Sequence, residues 1–210
     1  MRSAAHGRLL GAKRSAAPLA FCLAMVLSAE SRAELAAVWA LGESTKIKAG
    51  PQGAERALPA HPLAARNEVF DGRRLRIQGL RGETLGFQLI LRGGERETKD
   101  VSVALAKIGP IRNAPDVTDD GDRYYLGRRI ELFLQHYHLH REASATAVWR
   151  PGTAAAPASE HSRGWIPDAL IPHRRAFSVQ PRRRQGLWID VYIPPNTPAG
   201  IHRGELLVKV

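Results

Sequence analysis

The chain has 210 residues, 31 Lys and Arg against 20 Asp and Glu for a formal net charge of +11, and a single cysteine. One thiol excludes an intramolecular disulfide framework, so the fold rests on a hydrophobic core, which a chain of this length can supply. The positive balance raises nucleic acid or an anionic surface as a partner, but the arginines are scattered instead of alternating with a stripe of stacking aromatics, and no nucleic-acid partner is expected. Weak attraction to an anionic polysaccharide or lipid headgroup stays open.

Residues 1–33 read as a secretory signal peptide. Arg2, Arg8, Lys13 and Arg14 form a positive n-region, 16–27 an apolar h-region, and Ser31 and Ala33 the small residues before Glu34. The apolar run is too short to span a bilayer. Cys22 sits within it behind Phe21, which departs from the small residue that a lipoprotein cysteine requires. Cleavage after Ala33 leaves residues 34–210 as one periplasmic or secreted domain with no membrane contact. An uncleaved anchor is the alternative.

Beyond the leader, 36–41 with Trp39 predicts a first short strand, and the Pro- and Gly-rich 50–62 a surface excursion. Further strands are expected at 75–78, 84–91, 101–105, 130–139 and 177–179. Segments 110–129 and 144–163 are poor in core-forming residues and read as loops. Arg182, Arg183 and Arg184, beside Gln180 and Pro181, read as a solvated turn. In 187–193, Leu187, Ile189, Val191 and Ile193 alternate with Trp188, Asp190 and Tyr192, the period-2 signature of a strand with one buried face. Pro194 and Pro195 end it, Pro198 and Gly200 mark a turn, and a last strand at 205–210 turns Leu206, Val208 and Val210 to one side. These last two strands are expected to pair with each other. Short strands with turn punctuation and no amphipathic helix predict an all-β chain, a β-sandwich of mainly antiparallel strands preceded by the signal peptide.

His136, His138 and His140 alternate on one predicted strand, which would place neighbouring imidazoles on one face about 6.6 Å apart. Two of them could chelate zinc if another element supplied a third ligand, with His161, His173 and Asp168 as candidates. A straight strand does not bring all three histidines to one ion, and a partly exposed sheet face is the simpler expectation; no cofactor is expected. The acidic run 116–122 has part of a calcium-loop pattern but Gly127 where a bidentate Glu is needed. No adjacent Asp-Glu pair, no G-x-S-x-G elbow and no phosphate loop occurs. Asp168 and Asp190 are expected to bond nearby backbone. Trp39, Trp149, Trp165 and Trp188 could stack on a sugar face. Of these Trp165 is the better candidate for an exposed or interfacial aromatic, Trp188 is divided between sugar contact and core or inter-domain packing, and Trp149 falls in the second loop.

Five strings resemble, in order, the N-terminal β-sandwich domain of glycoside hydrolase family 123 and related proteins of unknown function. They are ARNEVFDG (65–72), GETLGFQLIL (82–91), IELFLQHYHLH (130–140), GWIPDALIP (164–172) and LWIDVYIPPNTPAGIHRGELLVKV (187–210). The resemblance implies an exported accessory domain that packs on a catalytic barrel or extends its glycan groove. The family's catalytic Asp-Glu pair lies on that barrel, so no catalytic residue is expected here. Trp165, Trp188 and Asp168 are the carbohydrate or domain-interface candidates. The end of the chain at Val210, inside a strand, reads as a truncated part of a longer enzyme. Two alternatives remain: a free-standing carbohydrate-binding module, and a small zinc-dependent hydrolase using His136, His138 and His140.

Overall fold

The computed structural model describes residues 19–27, 35–50, 61–114, 128–142, 163–173 and 175–210, and for 19–27 the backbone alone. Among the described residues the chain is all-β, with one 3-10 turn at Pro62–Ala64. One sheet has the order β3-β1-β11-β5-β6, comprising β3 (Arg74–Gly79), β1 (Leu19–Leu27), β11 (His202–Lys209), β5 (Thr98–Ile108) and β6 (Ile111–Arg112), with β9 (Phe177–Val179) also paired to β5. The other has the order β2-β4-β10-β7-β8, comprising β2 (Leu35–Gly42), β4 (Thr84–Gly93), β10 (Arg184–Tyr192), β7 (Ile130–His140) and β8 (Gly164–Pro172). All pairings are antiparallel except β1 with β11.

The period-2 patterns decide which faces meet. Leu187, Ile189, Val191 and Ile193 are fully enclosed, and the β4 residues in register with the first two, Leu89 and Phe87, are enclosed with them. From the other sheet Leu75, Val101, Val103, Leu105, Leu206 and Val208 join the same hydrophobic cluster, so the two sheets share one core. The polar segment before β3 is organised by short side chains. Asn67 Nδ2 donates to the carbonyls of Ala40 and Leu63 while its Oδ1 accepts from the backbone N–H groups of Val69 and Phe70. Asp71 accepts from Arg73 and Arg74 N–H, which with the neighbouring guanidinium groups holds its carboxyl below the usual range. Gly72 between them has φ +93°, and a Cβ there would lie 2.9 Å from the Ala65 carbonyl oxygen.

Several elements differ from the sequence reading. β10 and β11 do not pair: β10 is central in one sheet between β4 and β7, whereas β11 lies in the other between β1 and β5. The connection between them therefore crosses from sheet to sheet instead of closing a hairpin. GWIPDALIP, outside the expected strands, is a strand; Pro167 and Pro172 are accommodated because β8 lies at the edge of its sheet, where among the described residues β7 is its one strand partner and Gly50 bridges to Trp165. The stretch read as a loop after residue 109 contains the short β6, while 51–60, 115–127 and 143–162, and with them the acidic run and Trp149, lie outside the described residues. The backbone of Leu19–Leu27, within the predicted leader, is aligned with β11 and β3.

The enclosure of Ile189 sets a test of the core. Ile189→Ala should lower unfolding free energy by about 2 to 5 kcal/mol through lost burial and the residual cavity. Urea denaturation should show the loss as a lower midpoint at unchanged slope, and an unchanged midpoint would contradict the placement of Ile189.

Candidate functional site

A cleft of about 400 Å³ opens where the starts of β8 and β10 meet the middle of β7, bordered by Trp165, His136, Tyr137, Gln180, Arg183 and Arg184. Its floor is backed by a tightly bonded layer of polar side chains. Gln88 Nε2 donates to the carbonyls of Gly42 and Thr45, and Gln88 Oε1 accepts from Gln135 Nε2 at 2.8 Å. Tyr137 Oη reaches Gln135 Oε1 at 3.4 Å and accepts from Gly186 N at 2.9 Å. Gln185 Nε2 donates to the carbonyls of Gln135 and Gly186. Burial pushes the Tyr137 phenol well above its ordinary value, so it stays a neutral hydroxyl. The glycine at 186 is required: a Cβ there would fall 2.0 Å from Gln135 Oε1 and 2.9 Å from Tyr137 Oη.

The rim is set by a turn and a bridging segment. In the turn before β10, Arg182 adopts φ +55°, its N–H bonded to the Gly94 carbonyl, and its side chain is ion-paired with Glu95. That geometry brings the next residue, Arg183, over the Trp165 indole, with Cζ 5.0 Å from the ring centroid. Ala49 and Gly50 clamp the mouth: Ala49 N donates to the Trp165 carbonyl, Trp165 N to the Gly50 carbonyl, and Arg184 N to the Ala49 carbonyl. Trp165 is half-buried; farther along β8, Leu170 and Ile171 expose 43% and 46% of their surface, and Ile171 borders the cleft. Arg184 is half-buried; burial first, and then the charge of Arg92, lower its guanidinium from the ordinary value.

The other sequence candidates are distributed differently. Trp39 is fully enclosed and stacks on His61 at 6.2 Å, which removes it as a sugar platform. Trp188 donates from Nε1 to Asp190 Oδ1 at 2.7 Å, so Asp190 bonds an indole instead of the expected backbone. The indole lies over β4, where a Cβ on Gly86 would meet Trp188 Cζ2 at 2.7 Å and Glu43 Oε2 at 2.9 Å. Burial and the nearby Glu43 carboxylate raise Asp190, against the lowering effect of the Trp188 bond. His136 and His138 do share a face, their rings edge-on at 4.9 Å, and Asp168 from β8 reaches within 3.8 Å of His138 Nε2. Both partners are largely exposed, and among the described residues no three His, Cys, Asp or Glu side chains converge as a metal site. His140 is half-exposed at the end of the row. His173 is engaged elsewhere: its Nε2 accepts from Val103 N on the opposite sheet, its ring packs edge-on to Phe177, and burial lowers it. His161 lies outside the described residues. A second groove of about 820 Å³ mixes Glu43, Glu68 and Glu83 with Arg74, Arg76 and Arg203.

Two substitutions test this geometry. Gly186→Ala should destabilise the fold by about 1 to 3 kcal/mol, because the added methyl must displace the Gln135 amide or the Tyr137 hydroxyl; an unshifted denaturation midpoint would show that the floor is loose. For Asp190, a folded pKa above the unfolded one means that stability is lost as pH rises from the unfolded value through the folded value. Asp190→Asn keeps an oxygen for the Trp188 indole and does not titrate. It should therefore be more stable than wild type at pH 7, with the difference shrinking as pH falls toward about 4. A constant deficit across that range would exclude the desolvation argument.

Comparison with known proteins gives similarity among solved structures alone. No family model matches the chain, and no curated protein matches it. Among solved structures it is similar to a family 123 glycoside hydrolase from Clostridium perfringens, analysed for glycolipid glycan hydrolysis, with a TM-score of 0.41 and 14% identity over 61% of this chain. The similarity spans 18% of that enzyme's chain.

Proposed function

We propose that this chain is an exported, non-catalytic β-sandwich accessory domain of a carbohydrate-active enzyme, which packs beside a catalytic barrel and touches glycan through the Trp165 cleft. The observation that carries the reading is the half-buried indole of Trp165 at the mouth of a cleft whose floor is fixed by buried side-chain hydrogen bonds. Saccharides are bound by such pairings, an aromatic surface for the C–H face of a ring beside fixed polar groups. The exposed Leu170 and Ile171 farther along β8 supply apolar area for a neighbouring domain. The missing neighbouring Asp-Glu pair and the resemblance of the five sequence strings support an auxiliary role over hydrolysis. Export with cleavage after Ala33 would also withdraw β1 from between β3 and β11, so the mature chain would carry that strand position open.

Three measurements test the reading. The purified protein should bind on a glycan array or be retained by immobilised polysaccharide, and Trp165→Ala should abolish this without lowering the thermal midpoint. It should not turn over aryl N-acetylhexosaminides; hydrolysis that disappears with Asp168→Asn or Asp190→Asn would establish an enzyme instead. The intact mass of the exported product should correspond to a chain beginning at Glu34. An in-frame barrel-coding region downstream of codon 210 separates the accessory domain from a free-standing binding module.

A further inference from the structure

The three consecutive arginines at the start of β10 do not form one solvated cluster. Arg182 turns outward and is neutralised by Glu95, whereas Arg183 and Arg184 border the Trp165 cleft together with His136. No aspartate or glutamate borders that cleft among the described residues. The Arg183 guanidinium lies over the indole, its Cζ 5.0 Å from the ring centroid. A guanidinium held over an aromatic ring keeps N–H donors for a planar anion, which it can bind through two parallel bonds. Arg184 is the next residue, half-buried, with Arg92 opposite it in the β10–β4 register. Burial and that like charge lower its guanidinium, against the raising effect of Tyr137.

The amide and phenol groups of the cleft are meanwhile engaged. The amide nitrogen of Gln135 goes to Gln88, that of Gln185 to two backbone carbonyls, and that of Gln180 to Glu97 outside the cleft. Tyr137 is held between Gly186 and Gln135. The amides and the phenol therefore have less to offer the hydroxyl pattern of an uncharged sugar, and charge-assisted bonds from arginine are the stronger contacts.

We propose that the Trp165 cleft is a binding site for an acidic saccharide, its carboxylate or sulfate bonded by Arg183 within the positive field of Arg184, and its apolar ring face against the remaining indole surface of Trp165. This rests on the glycan-contacting reading of the cleft and adds the chemical class of the sugar.

The test compares the full-length chain on polygalacturonate, dextran sulfate and uncharged dextran at about 0.15 M salt, where long-range attraction by exposed arginines is largely screened. Both polyanions should bind and dextran should not, and whichever polyanion binds more tightly identifies carboxylate or sulfate as the group held. Arg183→Gln should weaken polyanion binding about tenfold or more, and Arg183→Lys should recover only part of it because the charge returns without the bidentate edge. Arg112→Gln removes an exposed charge on the other sheet and should change nothing. Denaturation midpoints of all variants keep misfolding apart from lost contacts. Equal losses for Arg112→Gln and Arg183→Gln would reduce the effect to overall charge and overturn the proposal. Dextran bound as tightly as the polyanions, and lost on Trp165→Ala, would overturn the acidic preference while leaving the glycan reading intact. Binding to none of the three, with an empty glycan array, would overturn both.

Discussion

The enclosed face of β10 constrains everything around it. Leu187, Ile189 and Val191 are shut between the sheets while Trp188, Asp190 and Tyr192 occupy the opposite side. A slip of one residue would drive an indole and a carboxylate into the core and expose the aliphatic side chains, so the register with β4 and β7 is pinned by solvation alone. Once pinned, that register places Gly186 beneath Gln135 and Tyr137, and sets Arg183 and Arg184 at the strand's entry. The cleft is thus a by-product of the same alternation that makes the core.

A second constraint is polar. Buried amides are costly unless every donor and acceptor is used. Gln88 and Gln135 are both buried, and they meet that demand by bonding each other, the backbone after β2, and the Tyr137 hydroxyl. This chain of bonds ties β4 to β7 and β10 across the outer face of the sheet and gives the cleft a floor that side-chain rotation cannot easily reshape. The irregularity in the β7–β8 register between Gln135 and Tyr137 falls at the same place, where β7 serves the floor with one residue and the rim with the next.

The period-2 strands were readable because alternation is a local property: 187–193 announces both its conformation and its buried side, and 130–139 its conformation. Partner choice was not, since it depends on whether the connection through Pro194, Pro195 and Pro198 folds back or crosses to the other sheet, and proline content fits both. Prolines also hid β8, because Pro167 and Pro172 argue against a strand unless it is known to lie at an edge. Of the site, Trp165 was visible as an aromatic in a proline-bearing string. The floor was not: Gln88, Gln135, Tyr137 and Gly186 are common types in distant segments, and Gly186 stands just ahead of the alternating pattern of 187–193, where nothing local marks its close approach to Gln135. Trp39 shows the converse, an aromatic whose surroundings bury it completely. The arginine triplet looked uniform, yet a left-handed residue at Arg182 divides it into one outward and two cleft-facing charges.

The prolines of β8 have a further consequence. A sheet edge normally offers a row of backbone donors and acceptors onto which a strand of another molecule can zip, the first step of edge-to-edge aggregation. On β8 that row is broken at Pro167 and again at Pro172, neither of which has an N–H to give. A protein neighbour approaching this border finds exposed Leu170 and Ile171 side chains but no continuous ladder, so it must be recognised by the shape and apolarity of those side chains, and indiscriminate strand addition is blocked where this apolar surface would otherwise invite it.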